Sequence, residues 1–593
     1  MITVLATNIT SPLGMTTEQN YQMLKSGRSA LKRYEGWCGV PEAFTASLFT
    51  DEQREALAVE GCSRFESLVV RSVREALTHA EVDVTDERTV FILSTTKGNV
   101  EMLPAEGSEG YLHPGETAAK IARLLGFTTQ PITVCNACIS GVSAQLLAHR
   151  LISEGRYDRA VVCGADCQSA FIVSGFVSFK ALSPDECRPF DIERIGLNLG
   201  EAASTIILAR TSAAAEGKRE WQLVRGCTNN DAYHISAPSP QGDGTYAAIM
   251  ATLHEGDRER LATVSVHGTA TMFNDQMESK ALQRAGLSEV PLSALKGYYG
   301  HTMGAAGVLE SIITMRALDD GLILPSRGFE EIGVSGKVTI SNQMQTTGKQ
   351  SFLKIISGFG GCNGALLFTR TEGEGNEAPA TPRTVQLAQT HSVRITPSAL
   401  EIDGQPMETS AEGKALLTEI YKSRIGGYPK YYKMDMLSRL VFVATELLLQ
   451  QEGKAPGNGQ AEDGQVESGQ AEEAADRAVI LFNRTSSIVA DRQHQQTISD
   501  AEGFFPSPSV FVYTLPNIVT GEIAIKHGYK AETSLYILDH KDNHIMDSVV
   551  EASLLQSDTQ SVLTGWVDCE DENKFEAEIR IITKNIKRQL WTN

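Results

Sequence analysis

A cysteine at the end of an apolar run is the residue of this chain best suited to covalent chemistry. Cys138 lies in the segment TVCNACISG (Thr133–Gly141), in which a predicted strand, Pro131–Cys135, runs into a turn of small residues before a predicted helix, Val142–Leu151. A thiol at the start of a helix feels the positive end of the helix dipole, which favours the nucleophilic thiolate. The alternative is a buried structural cysteine, which suits Cys135 better. We therefore predict that Cys138 is a nucleophile.

Two histidines and a glycine-rich loop far downstream are candidates for the rest of a site. His267 follows an apolar strand in VSVHGTATMFND, and His301 lies in KGYYGHTMGAAGVLE, so nearby glycines permit close backbone approach at both. The segment SGFGGCNGALLF (Ser357–Phe368) can turn its backbone amides toward a ligand, as an oxyanion site requires. Taken singly, each histidine also suits a core position and the loop suits a simple tight turn. Together with Cys138 they predict one active site.

The elements that must position these residues are those of an α/β protein. Over the first 370 residues, short β-branched runs alternate with helical patterns, and glycine-rich connections follow several of the runs. The predicted strands include Thr89–Leu93, Ile132–Cys135, Arg159–Cys163, Thr205–Leu208 and Thr263–Val266. A chain of 593 residues is too long for one ordinary core, so at least one further folding unit is expected.

The composition excludes several classes of protein. The formal charge of −20 argues against a nucleic-acid partner, because such proteins present a basic face. We find no run of about 18 uncharged apolar residues, so no membrane span is expected. The first residues lack a basic region followed by an apolar run, and ten cysteines fit reduced thiols better than a disulfide framework. We expect a cytoplasmic protein.

The chain changes character after residue 370. Residues 371–392 are polar, contain prolines and show no apolar period, so they are predicted to be a linker. Residues 393–593 read as a second globular unit. Within it, Glu452–Asp476 is acidic and repetitive and has almost nothing to bury, so we predict a disordered surface insertion.

The second unit reads as a partial repeat of the first. Four pairs of segments occur in the same order: Ser63–Leu77 with Lys433–Leu449, RTVFILSTTKGNVE with RAVILFNRTSSIVA, Val134–Ala144 with Tyr513–Ala524, and LISEGRYDRAVVCGADC with LLQSDTQSVLTGWVDC. This pairing places Ile518 at the position of Cys138 and supplies no counterpart of either histidine segment. The alternative is a separate α/β domain whose spacing matches by chance.

Together the four candidate segments resemble the β-ketoacyl-ACP synthases of the thiolase-like superfamily. The resemblance covers roughly residues 1–370, with the motifs in the family's order. Two histidines are typical of the elongating class, whereas initiating synthases pair cysteine with histidine and asparagine. The resemblance implies an α/β, thiolase-like layered αβαβα fold of two similar halves, residues 1–210 and 211–370. The degenerate half-repeat of residues 393–593 would follow them.

The resemblance also implies roles for the candidate residues. Cys138 would accept an acyl chain from an acyl-carrier protein as a thioester. His267 and His301 would hydrogen-bond the malonyl thioester carbonyl and stabilise the enolate that forms when carbon dioxide leaves. The backbone amides of Cys138 and Phe359 would hold the tetrahedral oxyanion, and the Phe359 side chain would gate the acyl pocket.

Four further residues match family positions near the two histidines. The spacing of Lys296 and Glu310 around His301 implies a pair that orients this histidine and tunes its protonation. Thr269 and Thr271 in HGTAT match the hydroxyls that bind the phosphopantetheine arm. Each match is read from position in the motif alone.

Other positions are interpreted as structural or depart from the family. Asp275 and Glu278, which follow the HGT motif, are interpreted as structural. Cys362 stands where the family has threonine in GFGGTN. Ile195 and Asn198 replace the acidic and apolar residues expected between RPFD and GE, and Asn198 would add a polar group near the acyl tunnel.

We therefore expect decarboxylative Claisen condensation of a carrier-bound acyl chain with malonyl-ACP, in a specialised polyene, dialkylresorcinol or polyketide-lipid pathway. The alternatives are housekeeping type II fatty-acid elongation, a non-catalytic chain-length partner or scaffold, and a degradative thiolase. No bound cofactor or metal is expected, because phosphopantetheine would arrive on the acyl-carrier protein. The expected partners are that carrier and the acyl and malonyl thioesters. The expected assembly is a homodimer or an intrachain pseudo-dimer.

Overall fold

The structure is a computed structural model that describes residues 1–104, 112–211, 219–372, 387–453, 477–499, 504–555 and 559–584. Most of the predicted linker and of the predicted acidic insertion lies outside these residues. The helices are α1 (Thr17–Lys25), α2 (Asp51–Leu57), α3 (Arg64–Leu77), α4 (Pro114–Leu125), α5 (Ser140–Ser153), α6 (Ala170–Ser178), α7 (Asp243–Thr252), α8 (Asp257–Arg260), α9 (Met272–Arg284), α10 (Lys296–Tyr299), α11 (Ala306–Asp319), α12 (Gly413–Ile420), α13 (Met436–Gln451), α14 (Ile488–Ser499), α15 (Pro508–Phe511), α16 (Ile518–His527) and α17 (Asn543–Leu554).

The strands fall into three groups along the chain. The first comprises β1 (Ile2–Thr10), β2 (Lys32–Tyr34), β3 (Phe44–Ser47), β4 (Thr89–Ser94), β5 (Ile132–Val134), β6 (Arg159–Asp166), β7 (Leu199–Gly200) and β8 (Ala202–Arg210). The second comprises β9 (Arg219–Asn230), β10 (Leu261–Ser265), β11 (Pro291–Ser293), β12 (Leu322–Ile323), β13 (Thr339–Ile340), β14 (Gln345–Thr346), β15 (Ser351–Gly358) and β16 (Cys362–Glu372). The third comprises β17 (Leu387–Thr396), β18 (Ala399–Ile402), β19 (Gln405–Met407), β20 (Arg477–Asn483), β21 (Thr533–Ile537), β22 (Ser561–Asp571) and β23 (Lys574–Lys584).

The first two groups build two similar mixed sheets. One sheet has the order β5-β4-β6-β8-β1, and the other has the order β13-β11-β10-β15-β16-β9. In each sheet the parallel strands come first, and each of the last two strands pairs antiparallel with the strand before it. These strands are apolar on both faces because both faces are covered: in β4, Val90 and Ile92 face the core between the sheets, whereas Phe91 and Leu93 face the outside.

Helices complete a five-layer arrangement. Helices α5 and α11 lie between the two sheets and are almost wholly buried, α3 and α4 cover the outer face of the first sheet, and α7 and α9 cover the second. The central helices meet at glycines. A Cβ at Gly307 would lie 2.6 Å from Val142 N, and one at Gly141 would lie 2.9 Å from Gly304 O, so neither position accepts a side chain.

The third group of strands forms the second unit and extends the first sheet. Its order, β21-β20-β22-β23-β17, repeats both the order and the strand directions of β5-β4-β6-β8-β1. Strand β21 pairs antiparallel with β5, with Tyr536 opposite Val134 and Ile537 opposite Thr133. Helix α17 covers one face of the added strands, and α13 and α16 cover the other. The two units therefore share one continuous sheet.

This topology corrects one predicted pairing of segments. Because α17 connects β21 to β22 as α5 connects β5 to β6, the counterpart of the Cys138 turn is the stretch after β21, residues 538–542. The segment Tyr513–Ala524 leads into and begins α16, whose place in the chain corresponds to that of α4. Ile518 is therefore not the counterpart of Cys138, although the corrected stretch, LDHKD, also lacks a cysteine.

The boundaries of the predicted linker also change. Strand β16 continues to Glu372, and residues 387–392 form the first part of β17 rather than linker. This strand escaped prediction because its apolar side chains, such as Val393 and Ile395, are buried only toward its carboxyl end. Among the described residues, no helix is both long and apolar enough to cross a membrane.

Candidate active site

The three residues predicted to react lie together where three connecting segments meet. Cys138 is in the 3-10 turn Ala137–Ile139 between β5 and α5, His267 follows β10, and His301 follows α10. The Cys138 Sγ atom and one ring nitrogen of each histidine lie within 4.8 Å of one another. The imidazole rings meet edge to face, with their centroids 5.1 Å apart. In the described ranges no other set of cysteine, histidine and acidic side chains is compact enough to hold a metal ion.

The backbone beside each of these residues is strained. Ala137, Ala270 and Met303 have φ of 47°, 63° and 55°, a left-handed conformation that residues other than glycine adopt rarely. Each such residue costs on the order of 1–3 kcal/mol, which the surrounding packing must offset. Because all three turns are strained, their conformations are set by the packing around Cys138, His267 and His301 and not by local backbone preference.

Both histidines are held neutral. Burial, reinforced by the positive charge of Lys296, lowers the pKa of His267 and of His301 well below the usual value. The Met303 N–H donates to His301 Nδ1 at 3.2 Å, so the His301 proton is on Nε2. This Nε2 has no hydrogen-bond partner in the described part of the chain. It is a buried donor available to a substrate oxygen.

The thiol of Cys138 is also held in its neutral form. Burial raises its pKa to about 12, although the charge of Lys296 opposes the rise. The expectation that a helix start favours the thiolate does not describe the resting site, because burial raises the pKa of the Cys138 thiol and the 3-10 turn places Cys138 before the first residue of α5. A nucleophilic sulfur here requires a base to take the proton, and the neutral imidazoles are the adjacent bases.

A buried charge cluster lies behind the histidines. Glu310 accepts from Lys296 Nζ at 2.7 Å and from Lys354 Nζ at 2.5 Å, and all three side chains are at most 4% exposed. Lys296 Nζ also donates to the His267 carbonyl oxygen at 2.6 Å. The pair thus fixes the backbone of His267, and the expected contact with His301 is absent from the contacts of these residues.

Two predicted roles change as a result. Glu310 does not line the substrate cavity, so its assignment as a substrate-binding residue is wrong: its carboxylate is fully engaged by two ammonium groups. Lys296 does not line the cavity either, so it positions His267 instead of touching substrate. The third member, Lys354, was missed, although a single lysine in the apolar run SFLKIISG is unusual enough to have suggested a buried ion pair.

Carboxylates also anchor the backbone after His267, as expected. Glu278 accepts from the N–H groups of His267 and Gly268 at 2.6 and 2.9 Å. Asp275 accepts from the N–H groups of Ala270 and Phe190. These bonds hold the strained HGTA turn in place.

The glycine-rich loop lies directly against the nucleophile. A Cβ on Gly358 would lie 3.3 Å from Cys138 N and 3.1 Å from Cys362 Sγ, so the backbones of the two segments touch. This contact places the glycine-rich loop directly against the turn that carries Cys138. The Phe359 ring packs on that of Phe179, with centroids 5.3 Å apart.

A cavity of about 390 Å³ contains the site. Its walls include Cys138, both histidines, Phe359, Thr269 and Thr271, whose hydroxyls are 2.9 Å apart. Two wall residues, Phe511 and Leu515, belong to the second unit, and sequence reasoning missed both because no motif marks them. Ile195 also lines the cavity. The expectation for Asn198 is wrong: its side chain is buried away from the cavity, on the backbone of residues 183–187.

The layered fold and this constellation define a thiolase-like condensing enzyme, which confirms the predicted fold class. Residues 1–214 match the N-terminal domain of the beta-ketoacyl synthases, and residues 223–330 match their C-terminal domain. The two matches together span more than half of the chain. The chain belongs to the β-ketoacyl synthase family.

Curated relatives resemble the first unit. The chain is 28% identical over 413 residues to the ketoacyl synthase alpha subunit of the tetracenomycin polyketide synthase from Streptomyces glaucescens, covering 62% of this chain and 97% of that protein. It is 26% identical over 415 residues to 3-oxoacyl-[acyl-carrier-protein] synthase 2 of Vibrio cholerae, covering 62% of this chain and 99% of that protein. Relatives thus include both a polyketide synthase subunit and a 3-oxoacyl-[acyl-carrier-protein] synthase.

Solved structures extend the comparison to the second unit. A ketosynthase in complex with its chain length factor, from Xenorhabdus doucetiae, is 25% identical with a TM-score of 0.52, over 62% of this chain and 98% of that chain. The PfaC keto synthase–chain length factor is 15% identical with a TM-score of 0.68, over 98% of this chain and 78% of that chain. The second likeness concerns the fold alone, but it includes both units.

Proposed function

We propose that this chain condenses an acyl group held on Cys138 with a malonyl group held on an acyl-carrier protein. The observation that carries the proposal is the Cys138 thiol within 4.8 Å of a ring nitrogen of each of two neutral histidines, at the wall of a largely apolar cavity. Neutral imidazoles suit a reaction in which a base takes a thiol proton and a donor stabilises an enolate. We assign no bound cofactor or metal, since the thioesters bring their own phosphopantetheine.

The first step would transfer the acyl group to the enzyme. The Cys138 sulfur attacks the acyl thioester carbonyl while a histidine takes its proton, and the amides of Cys138 and Phe359 hold the oxyanion. The carbon–sulfur bond to the carrier breaks, and the proton passes to the departing carrier thiolate. The products are acyl-Cys138 and a free carrier thiol.

The second step would form the carbon–carbon bond. His301 Nε2–H donates to the malonyl thioester carbonyl, so that loss of carbon dioxide leaves an enolate held by a hydrogen bond. The enolate carbon attacks the acyl-Cys138 carbonyl, the bond to sulfur breaks, and the sulfur takes up a proton. The products are β-ketoacyl-carrier, carbon dioxide and the free thiol. Thr269 and Thr271, at the cavity wall, would hold the phosphopantetheine arm.

The proposal is tested by substitution at the two steps. We expect Cys138→Ala to form no acyl-enzyme by intact mass and His301→Ala to form acyl-enzyme but release carbon dioxide from malonyl carrier at least 100-fold more slowly. Cys38→Ser, which changes an exposed cysteine, is the control and should retain both steps. Carbon dioxide release without malonyl carrier, or an acyl-enzyme in Cys138→Ala, would refute the assignment. A chain that releases none would favour a non-catalytic partner.

The carrier protein is the proposed partner, and exposed apolar side chains at the cavity mouth support it. Ile195, Met272 and Phe273 line the cavity and are 60%, 53% and 79% exposed. A cluster of exposed large apolar residues is typical of a binding surface. Phe273→Ser should raise the KM for malonyl carrier while leaving that for a short malonyl thioester unchanged.

The second unit is proposed to act as an intrachain partner that closes the acyl pocket, in a specialised polyene, dialkylresorcinol or polyketide-lipid pathway. Support comes from β21 paired on β5, from Phe511 in the cavity wall, and from the ketosynthase–chain length factor folds. Product analysis with defined primers tests the pathway. Saturated products alone, in the presence of the fatty-acid reductases, would favour housekeeping elongation.

A further inference from the structure

Asn517, a side chain of the second unit, forms a hydrogen bond with the glycine-rich loop of the active site. Asn517 precedes the first residue of α16, is 2% exposed, and donates from Nδ2 to the Phe359 carbonyl oxygen at 2.8 Å. Phe359 carries both the ring that lines the acyl cavity and one of the two amides assigned to the oxyanion. The contact therefore joins the second unit to the reacting part of the first.

The loop depends on contacts from outside itself. Gly360 and Gly361 have φ of 91° and 76°, so the chain there adopts conformations that only glycine takes easily and has little intrinsic preference. The Gly360 N–H donates to the Ile235 carbonyl at 2.7 Å, and the Gly360 carbonyl accepts from Asn230 Nδ2 at 2.7 Å. The first bond restrains the Phe359–Gly360 peptide, and the second restrains the Gly360–Gly361 peptide.

The Phe359 carbonyl has two donors of unequal strength. Besides Asn517 Nδ2, it accepts from the Cys362 thiol at 3.3 Å. A thiol is a weak donor, and burial raises the pKa of Cys362, so this thiol remains protonated but adds little. The amide of Asn517 is therefore the stronger of the two donors to the Phe359 carbonyl, and it restrains the Phe359–Gly360 peptide together with the bond from the Gly360 N–H to Ile235.

Backbone contact holds the helix and the loop in this arrangement. A Cβ on Gly521 would lie 2.6 Å from the Gly360 carbonyl oxygen, and one on Gly360 would lie 2.7 Å from Asn517 Nδ2. Neither glycine can be replaced without moving α16 away from the loop. The close approach gives the amide of Asn517 a fixed position relative to Phe359.

The carbonyl oxygen of the Asn517 side chain adds no stabilising hydrogen bond. Its Oδ1 is buried and has no hydrogen-bond partner among the described residues. An orphaned buried acceptor is unfavourable, so an apolar side chain of the same shape would serve packing at least as well. The asparagine is explained by its donor, which acts on Phe359.

We propose that Asn517 is a positioning residue, through which the second unit holds Phe359 in the orientation needed for acyl transfer and condensation. The inference rests on the proposed function. It makes the second unit part of the active site rather than only a wall of the acyl pocket. Because Asn517 acts through Phe359, its loss should affect turnover and not carrier binding.

The test compares Asn517→Leu, which keeps the shape and removes both polar atoms, with Asn517→Ala. Glu551→Gln is the matched control, since it weakens the Arg156–Glu551 pair across the same contact between the units without touching the loop. We expect kcat to fall on the order of 10- to 100-fold in both Asn517 variants, with the KM for malonyl carrier unchanged within twofold. Thermal stability of Asn517→Leu should stay close to that of the wild type.

Hydrogen exchange of residues 357–364 gives a readout that does not depend on activity. Exchange there should rise in both Asn517 variants and stay unchanged in Glu551→Gln. A kcat within twofold of the wild type, or a loss of kcat without faster exchange in this loop, would overturn the proposal. If the wild-type chain releases no carbon dioxide, the proposed function fails, and exchange alone then decides whether Asn517 holds the loop.

Discussion

Replacing Phe511 with alanine should lengthen the acyl chains that the enzyme accepts, because this ring closes the cavity from the side of the second unit. Phe511 is 2% exposed, and its ring centroid lies 5.8 Å from that of Phe176 and 5.0 Å from that of His494. Across the contact is Gly175, where a Cβ would lie 2.1 Å from the Phe511 ring. Removing the ring should therefore enlarge the cavity on this side.

The size of the effect follows from the apolar surface that becomes available. Each methylene group transferred from water into an apolar site gains about 0.8 kcal/mol, which is about fourfold in relative kcat/KM. Two extra methylene groups in the enlarged cavity of Phe511→Ala should therefore gain about 16-fold over the wild type. Deleting a buried phenylalanine also costs about 3–5 kcal/mol of stability, so Phe511→Leu is the milder companion variant.

The assay is competition between acyl-carrier proteins that differ by two carbons, with products separated by mass. Phe505→Ala, which removes a ring that is 77% exposed, is the control and should leave the distribution of chain lengths unchanged. If folded Phe511→Ala and Phe511→Leu both gave the wild-type distribution, Phe511 would not limit the acyl chain and the assignment of this end of the cavity would be wrong.

Three further outcomes are expected. Glu310→Gln should lower the free energy of unfolding by about 3–5 kcal/mol in denaturant titrations, because it leaves two lysines buried without a counter-charge. Adding Lys354→Met to Glu310→Gln should recover part of this loss. A double variant with no recovery would contradict the ion-pair explanation. Burial lowers the pKa of His494 to about 4, so between pH 7 and pH 5 the unfolded chain binds a proton that the folded chain does not. The free energy of unfolding should therefore fall by about 2 kcal/mol from pH 7 to pH 5. His494→Asn should lose this part of the pH dependence, and a wild-type slope in that variant would refute the assignment to His494. The protein should scatter light as one 64.3-kDa chain, because β21 occupies the edge of β5, and a dimer formed through β5 would contradict this.

The sequence predicted that Cys138, His267 and His301 lie together, and it did so for a physical reason. Cys138, His267 and His301 each lie in a short segment whose strand, glycines and turn are encoded within about ten residues, so local patterns mark them. Lys296 and Glu310 were identified by their spacing from His301, but spacing along the chain does not tell which groups a side chain contacts in the folded protein. The lysine binds the carbonyl of His267 rather than orienting His301, and this was visible only in the structure.

No sequence motif predicts the contacts between the two units. Asn517 and Phe511 lie more than 150 residues from the first-unit groups that they touch, Phe359 and Phe176, and nothing local distinguishes them from other buried residues. The expected thiolate form of Cys138 differs from the neutral form in the structure for a related reason. A helix dipole can be read from neighbouring residues, whereas desolvation depends on every segment that surrounds the thiol.

The pairing of β21 with β5 also has a consequence for how the protein behaves at low abundance. Two separate subunits that share a sheet assemble only above a concentration set by their dissociation constant. Here the added strands are on the same chain as β5, so their effective concentration next to β5 is set by that covalent link and does not fall on dilution. Specific activity should therefore be independent of protein concentration, and the contact between β21 and β5 should persist even at a few copies per cell.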